Sequence, residues 1–307
     1  MTSIPLNGDL ARPLWDEDQP SKFEGAFELD QPDGTLETAV VRQVSRPWLF
    51  GYKPTPDKQN GRAVLILGGG GYTQLMVGRE GIAVARWLTS LGFAAFVLVH
   101  RFPNAETGPH APLDDARQAL RRISESGFAL GGLGVCGLSS GGHLAAALLA
   151  EYPAAWAVAA PVPSPADVAS TPPANKALSM PPRPAFAIIG YGPISTNAAG
   201  RTIVPDKAPL EPPEKQALYD AVVPDEQLVR PAPPTFVVYS ASDPVVPVVN
   251  AYRLAEGLRK AEGSVELHVF ADAPHGFAMD TKGLPVSKWP SLCEAWMEQQ
   301  GLLGRDG

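Results

Sequence analysis

Past residue 60 the chain alternates two patterns. Short unbroken apolar runs, "AVLIL" (63–67), "FAAFVLV" (93–99), "LGVCG" (133–137), "AFAII" (185–189), "TFVVYS" (235–240) and "SVELHVF" (264–270), read as strands. Between and after them, apolar positions recur every three or four residues in "EGIAVARWLTSLG" (80–92), "PLDDARQALRRISES" (112–126) and the segments 141–151, 246–261 and 287–300, which read as helices. Strands without a polar face must be covered on both sides, so the pattern predicts an α/β fold with a mostly parallel sheet between helices. The first 60 residues carry less helical pattern and are expected to supply antiparallel strands at one edge.

One segment breaks the rhythm. Residues 153–234 hold 18 of the chain's 33 prolines. Proline lacks the N–H donor and fixes φ, so the segment's proline-dense stretches, "TPPANKALSMPPRP" and "APLEPPEKQALYDAVVPDEQLVRPAPP", build neither long helices nor central strands, and a strand candidate interrupts them. Apolar and aromatic residues recur among the prolines, which favours loops packed over the carboxyl edge of the sheet rather than disorder. The expected organisation is an N-terminal segment (1–60) and a main domain (61–300) that includes a proline-rich cap at about 153–234.

Composition narrows the partners. A net charge of −7 and the absence of a long Lys/Arg block argue against nucleic acid or an anionic membrane surface. No apolar run approaches the ~20 residues of a membrane span. The start, "MTSIPLNGDLARPLWDEDQP", has neither a basic n-region nor an apolar h-region, so a cytoplasmic location is expected, or a secreted or periplasmic one for a processed chain. Two cysteines, Cys136 and Cys293, form neither a disulfide framework nor a zinc site. No metal or cofactor is expected.

The chemistry starts at "VCGLSSGGHLAAALLA" (135–150). Gly137-Leu138-Ser139-Ser140-Gly141 fits G-x-S-x-G between a strand and a helix, the setting of a nucleophile elbow. Centring the pattern on Ser140 puts Leu138 at a glycine position, so Ser139 is the candidate nucleophile. A serine hydroxyl needs a base. Of five histidines, His143 follows the elbow on its own helix and His268 alternates within a strand, both better read as structural. His100 ends a strand, and His110 lies in a loop. His275, in "DAPHGF" just beyond the last strand, is placed to present an imidazole at the sheet edge. Asp243, in "VVYSASDPVVP", follows a strand and precedes that histidine, with Asp272 as a rival. The chain order serine, aspartate, histidine is that of α/β hydrolases.

An acyl-transfer site also needs donors for a developing oxyanion. "LILGGGGYTQL" puts Gly68 to Gly71 directly after the 63–67 strand. The run lacks the Lys-Ser/Thr of a phosphate-binding P-loop, and Thr73 stands where G-x-G-x-x-G requires its last glycine. The expected donors are the N–H of Gly70 or Gly71 and that of Ser140.

These motifs together resemble bacterial xylan-esterase-like α/β hydrolases, a group that includes carbohydrate acetyl esterases and is related to lipase-like and dienelactone-hydrolase-like esterases. The resemblance runs in order through "GGGGYTQLMVGREGIAVARWLTSLGFAAFVLVHR", "APLDDARQALRRI", "GLSSGGHLAA", "PPTFVVYSASDPVVPVVNA" and "VELHVFADAPHGF", roughly residues 61–296. It implies Ser139, Asp243 and His275 as the triad and the glycine turn as the oxyanion hole. Gly68 stands where the group usually has proline, and Ser140 where alanine is common.

The expectation is a metal-independent serine hydrolase of carboxylic esters working through an acyl-enzyme. Short acyl groups, acetyl above all, on a carbohydrate such as xylan are the implied substrates, as a small-molecule or oligosaccharide ester. Tyr72, Arg101, His110 and Tyr191 are candidate substrate contacts. Two rivals stand beside it: a prolyl-oligopeptidase-type serine peptidase, which would bring a propeller-sized N-terminal domain the sequence does not display, and a non-catalytic binding protein on the same fold.

Overall fold

The computed structural model describes residues 10–15, 27–29, 38–151 and 181–304. The part of the proline-rich segment at 152–180 lies outside the described residues, as does most of the N-terminal segment.

Ten strands form in chain order: β1 (Leu10–Pro13), β2 (Phe27–Leu29), β3 (Ala39–Val41), β4 (Trp48–Tyr52), β5 (Ala63–Leu67), β6 (Ala94–Val99), β7 (Leu133–Leu138), β8 (Ala187–Gly190), β9 (Thr235–Ser240) and β10 (Val265–Phe270). Eight make one sheet in the order β1-β4-β6-β5-β7-β8-β9-β10. From β6 to β10 all neighbours are parallel, and β4 and β1 add antiparallel at the other edge. The first 60 residues therefore do supply the antiparallel edge, with β2 and β3 as a separate antiparallel ribbon.

The apolar runs predict the central strands because every residue of β5, β6, β7, β8 and β9 is buried. Such strands have no face for water. β10 is half-buried throughout, as an edge strand is. The helices are α1 (Ala83–Ser90), α2 (Ala111–Glu125), α3 (Ser140–Ala147), α4 (Pro213–Ala221), α5 (Pro224–Gln227), α6 (Val249–Lys260) and α7 (Trp289–Gln299). α1 packs on β4, β5 and β6, α2 on β5, β6 and β7, α3 on β5, β7 and β8, and α6 on β9 and β10.

Two helix starts differ from the sequence pattern. The helix expected from residue 80 begins as a π-helical turn over Val77–Ile82 and becomes α-helical only at Ala83. The π turn carries Glu80 inward, where it is 4% exposed. The helix expected from residue 287 opens as a 3₁₀ turn over Pro285–Lys288. In the proline-rich segment, α4 and α5 are short and each carries proline in its first turn, where the missing N–H costs nothing.

The strand order places the site. β5 pairs with β6 on one side and β7 on the other, so the chain changes its direction of winding there. Loops leaving the carboxyl ends of β5 and β7 diverge and leave a crevice between them. The glycine run follows β5 and Ser139 follows β7.

Candidate active site

Ser139 sits between β7 and α3 with φ +53° and ψ −126°, a conformation that side chains rarely adopt. The surroundings enforce it. A Cβ at Gly137 would collide with the Gly141 carbonyl, and one at Gly141 with the Leu67 carbonyl. The turn therefore needs glycine two positions either side of the serine. Backbone bonds from Ser139 N–H to Gly190 O (3.0 Å) and from Gly142 N–H to Ser139 O (2.8 Å) hold it.

The histidine loop after β10 meets this turn. Ser139 Oγ lies 2.9 Å from His275 Nε2, and His275 Nδ1 lies 2.8 Å from Asp243 Oδ2. The Asp243 side chain is fully buried, while that of His275 is 20% exposed, so the base is reachable and its partner is not. The second oxygen of Asp243 accepts N–H bonds from Val245 (2.8 Å) and Val246 (2.9 Å). Asp272, the rival carboxylate, instead accepts from Ser242 Oγ at 2.8 Å.

The glycine run supplies donors in an unequal way. Gly69 N–H is taken by Glu80 Oε2 at 2.6 Å. Gly71 N–H is taken by Ser140 Oγ at 2.9 Å, so of the two expected alternatives, Gly70 or Gly71, it is Gly71 whose N–H is engaged. Among the described residues, the N–H groups of Gly70 and of Ser140, the first residue of α3, have no protein acceptor. This pair is open to an oxyanion. At Gly68, a Cβ would meet only ordinary contacts, so nothing in the structure requires glycine there.

The four side chains expected to touch substrate are engaged with the protein. Tyr72 is 1% exposed, and its hydroxyl lies 2.9 Å from His143 Nδ1. Tyr191 is fully buried and donates to Glu80 Oε1 at 2.9 Å. Both are therefore corrected from substrate contacts to packing and hydrogen-bonding residues. Arg101 forks onto the buried Asp115, with Nη2 to Oδ1 at 2.6 Å and Nε to Oδ2 at 3.1 Å. His110 is half-buried at the start of α2, 3.7 Å from Asp114. His143 is structural as expected: buried, its Nε2 donates to Val222 O at 2.9 Å, and burial lowers its pKa to about 4.

Glu80 is the residue that sequence reasoning passed over. Its carboxylate joins three segments: the glycine turn through Gly69, the β8 loop through Tyr191, and the base loop, because Tyr191 Oη also accepts Ala278 N–H at 3.2 Å. Beside it Arg79 donates to Gly276 O at 3.0 Å, and the Tyr191 ring meets the His275 ring edge-on at 5.3 Å. Burial pushes the Glu80 carboxyl above its ordinary range, while Gly69 N–H, Tyr191 O–H, His275 and Arg79 pull the other way. The available signal was a lone acid in "VGREGI", next to Arg79 in the pair that Gly78 and Gly81 enclose.

Among the described residues, no three His, Cys, Asp or Glu side chains gather as a metal-binding set, and no helix is long and apolar enough to cross a membrane. The arrangement supplies an oriented alcohol, a base with a buried carboxylate behind it, and two unoccupied amides nearby. These are the groups that acyl transfer requires.

Comparison with known proteins agrees with this reading. Residues 69–279 match the model of an α/β hydrolase fold family. The chain is 26% identical over 244 residues to an acetylxylan esterase of Xylanibacter ruminicola, covering 74% of this chain and 43% of that protein. It is 27% identical over 243 residues to endo-1,4-beta-xylanase B of Butyrivibrio fibrisolvens, covering 76% and 35%. This chain thus spans less than half the length of these curated relatives. Among solved structures, an acetyl ester-xyloside bifunctional hydrolase from Caldicellulosiruptor lactoaceticus superposes with a TM-score of 0.68 at 26% identity, over 96% of this chain and 97% of that one.

Proposed function

The chain belongs to the α/β hydrolase fold family, and from that premise we propose that it hydrolyses carboxylic esters through an acyl-serine intermediate. The observation that carries the reading is the relay Ser139–His275–Asp243, with contacts of 2.9 and 2.8 Å. Ser139 Oγ attacks the ester carbonyl while His275 Nε2 takes its proton. Asp243 accepts the Nδ1–H, which fixes the tautomer and stabilises the imidazolium. The carbonyl oxygen, now carrying the negative charge, receives the N–H groups of Gly70 and Ser140. His275 returns the proton to the leaving alcohol, and water then repeats the sequence on the acyl-serine. The intact relay favours this over a non-catalytic binding protein on the same fold.

Short acyl groups on a carbohydrate, acetyl on xylan fragments foremost, are the proposed substrates. The support is the likeness to an acetylxylan esterase and to an acetyl ester-xyloside hydrolase. The test is hydrolysis of 4-nitrophenyl acetate and acetylated xylan by the wild type and Ser139→Ala. A loss of about a thousandfold or more in kcat is expected, together with fluorophosphonate labelling of the wild type only. Equal turnover by the mutant refutes the assignment.

A further inference from the structure

The proline-rich segment reaches the glycine turn through α4. Tyr219 on this helix packs edge-on against Tyr72, the residue following Gly71, with ring centroids 5.6 Å apart. It also packs against His143 of α3 at 4.6 Å. One turn earlier on α4 stands Lys215. A Cβ placed on Gly71 would lie 3.8 Å from Lys215 Nζ and, among the described residues beyond its chain neighbours, within 4 Å of nothing else. Among the described residues, the position a side chain would take at Gly71 thus faces only an ammonium group.

Lys215 is half-buried, and among the described residues its ammonium has no carboxylate or other hydrogen-bond partner. Burial, and the like charge of Lys207, push its pKa down, whereas a paired lysine is pulled up. Lys207 is itself held by Asn197 Oδ1 at 2.6 Å, and Gln216 Nε2 donates to the Asn197 carbonyl at 3.0 Å. The loop that carries Lys207 and the helix that carries Lys215 are therefore tied together. A chain of net charge −7 has set one ammonium group at the glycine turn, with a second lysine close enough to repel it and, among the described residues, no carboxylate paired with either. Partial desolvation without a counter-charge is unfavourable, and an anionic ligand removes the cost.

We infer that Lys215 forms an anion subsite at the glycine turn that selects esters carrying a carboxylate, such as those of acidic sugars or dicarboxylic acids. The inference rests on the ester-hydrolase reading and adds the substrate's charge to it. The carboxylate occupies the position before Gly71, while the ester carbonyl sits over Gly70 and Ser140. The charge resides on the acyl or the alcohol half of the ester, and the recognising chemistry is the same for both.

Two substrate pairs separate these halves. 4-Nitrophenyl hemisuccinate and its methyl ester differ in charge on the acyl side; 4-acetoxybenzoate and its methyl ester differ on the alcohol side. The readout is the ratio of kcat/KM for the charged member over the neutral one, which cancels general effects on catalysis. In at least one pair the ratio is expected to fall by about fivefold or more in Lys215→Met, to be retained in Lys215→Arg, and to fall with added salt in the wild type. Ratios equal in wild type and Lys215→Met overturn the subsite. Should Lys215→Met fail to fold, the wild-type ratio decides, and insensitivity to salt in both pairs overturns it. No turnover of any of the four esters refutes the hydrolase reading and the subsite with it, whereas turnover with unshifted ratios refutes the subsite alone.

Discussion

Gly71 donates its N–H to the side chain of Ser140 across 2.9 Å, joining the two loops that flank the crevice. The serine stands where the resemblance to xylan-esterase-like hydrolases leads one to expect alanine, and alanine leaves that N–H without this acceptor. One amide of the glycine turn is thereby engaged in holding the turn.

Ser140→Ala is expected to release Gly71 N–H toward the oxyanion and to raise kcat. An oxyanion donor is typically worth ~3 kcal/mol, but loss of the brace loosens the turn, so a gain of about tenfold at most is expected. Steady-state kinetics with 4-nitrophenyl acetate check it. A lower kcat would show that the brace matters more than the freed donor.

Glu80→Gln keeps an acceptor for Gly69 N–H but places an amide N–H₂ against Tyr191, breaking the tie to the base loop. Catalysis should lose about tenfold or more in kcat with KM little changed, since geometry rather than ground-state binding is disturbed. Tyr191→Phe cuts the same tie from the other side. If Glu80 acts through Tyr191, the double variant is no slower than Glu80→Gln alone.

Asp243→Asn retains the acceptor for Val245 and Val246 N–H, so the turn persists. It presents a neutral amide to His275 and no longer fixes the imidazole tautomer or stabilises its cation. A fall in kcat on the order of a thousandfold or more is expected, with a melting temperature close to wild type.

His143 gives a stability signature in pH. Its pKa falls from an ordinary 6.5 to about 4 in the folded state because it is buried neutral between Tyr72 and Val222. Between these values the unfolded chain binds more protons than the folded one, so stability declines as pH drops from about 6.5 to about 4 and levels off below. The contribution over this window is ~3 kcal/mol. Thermal melts of wild type and His143→Leu across that range check it: the variant is less stable at neutral pH and shows a shallower acid decline.

How far the sequence reaches is seen by comparing Ser139 with Glu80. Ser139 announces itself because the crowding that forces its positive φ leaves glycine at 137 and 141, within two residues of it. Glu80 gives no comparable sign. An acid at the start of an amphipathic pattern reads as a solvated first-turn residue, and only a π turn beneath the glycine run carries it inside. Tyr72 and Tyr191 show the same limit. Their positions near the site follow from the motifs, but each hydroxyl found a buried partner from a distant segment, His143 and Glu80 respectively.

The sequence by itself determined the succession of strands and helices along the chain, the parallel core, the elbow and the three candidate residues of the relay, because these rest on short-range causes: apolar periodicity, glycine crowding, and chemistry placed just after strand ends. The tertiary structure alone decided which amides of the glycine turn are free, which carboxylate ties that turn to the base loop, and which lysine of the proline-rich segment stands before Gly71. A hydrogen-bond donor or a charge takes the partner that the crossings of the sheet bring within about 3 Å, and that distance is fixed by packing between segments far apart in sequence.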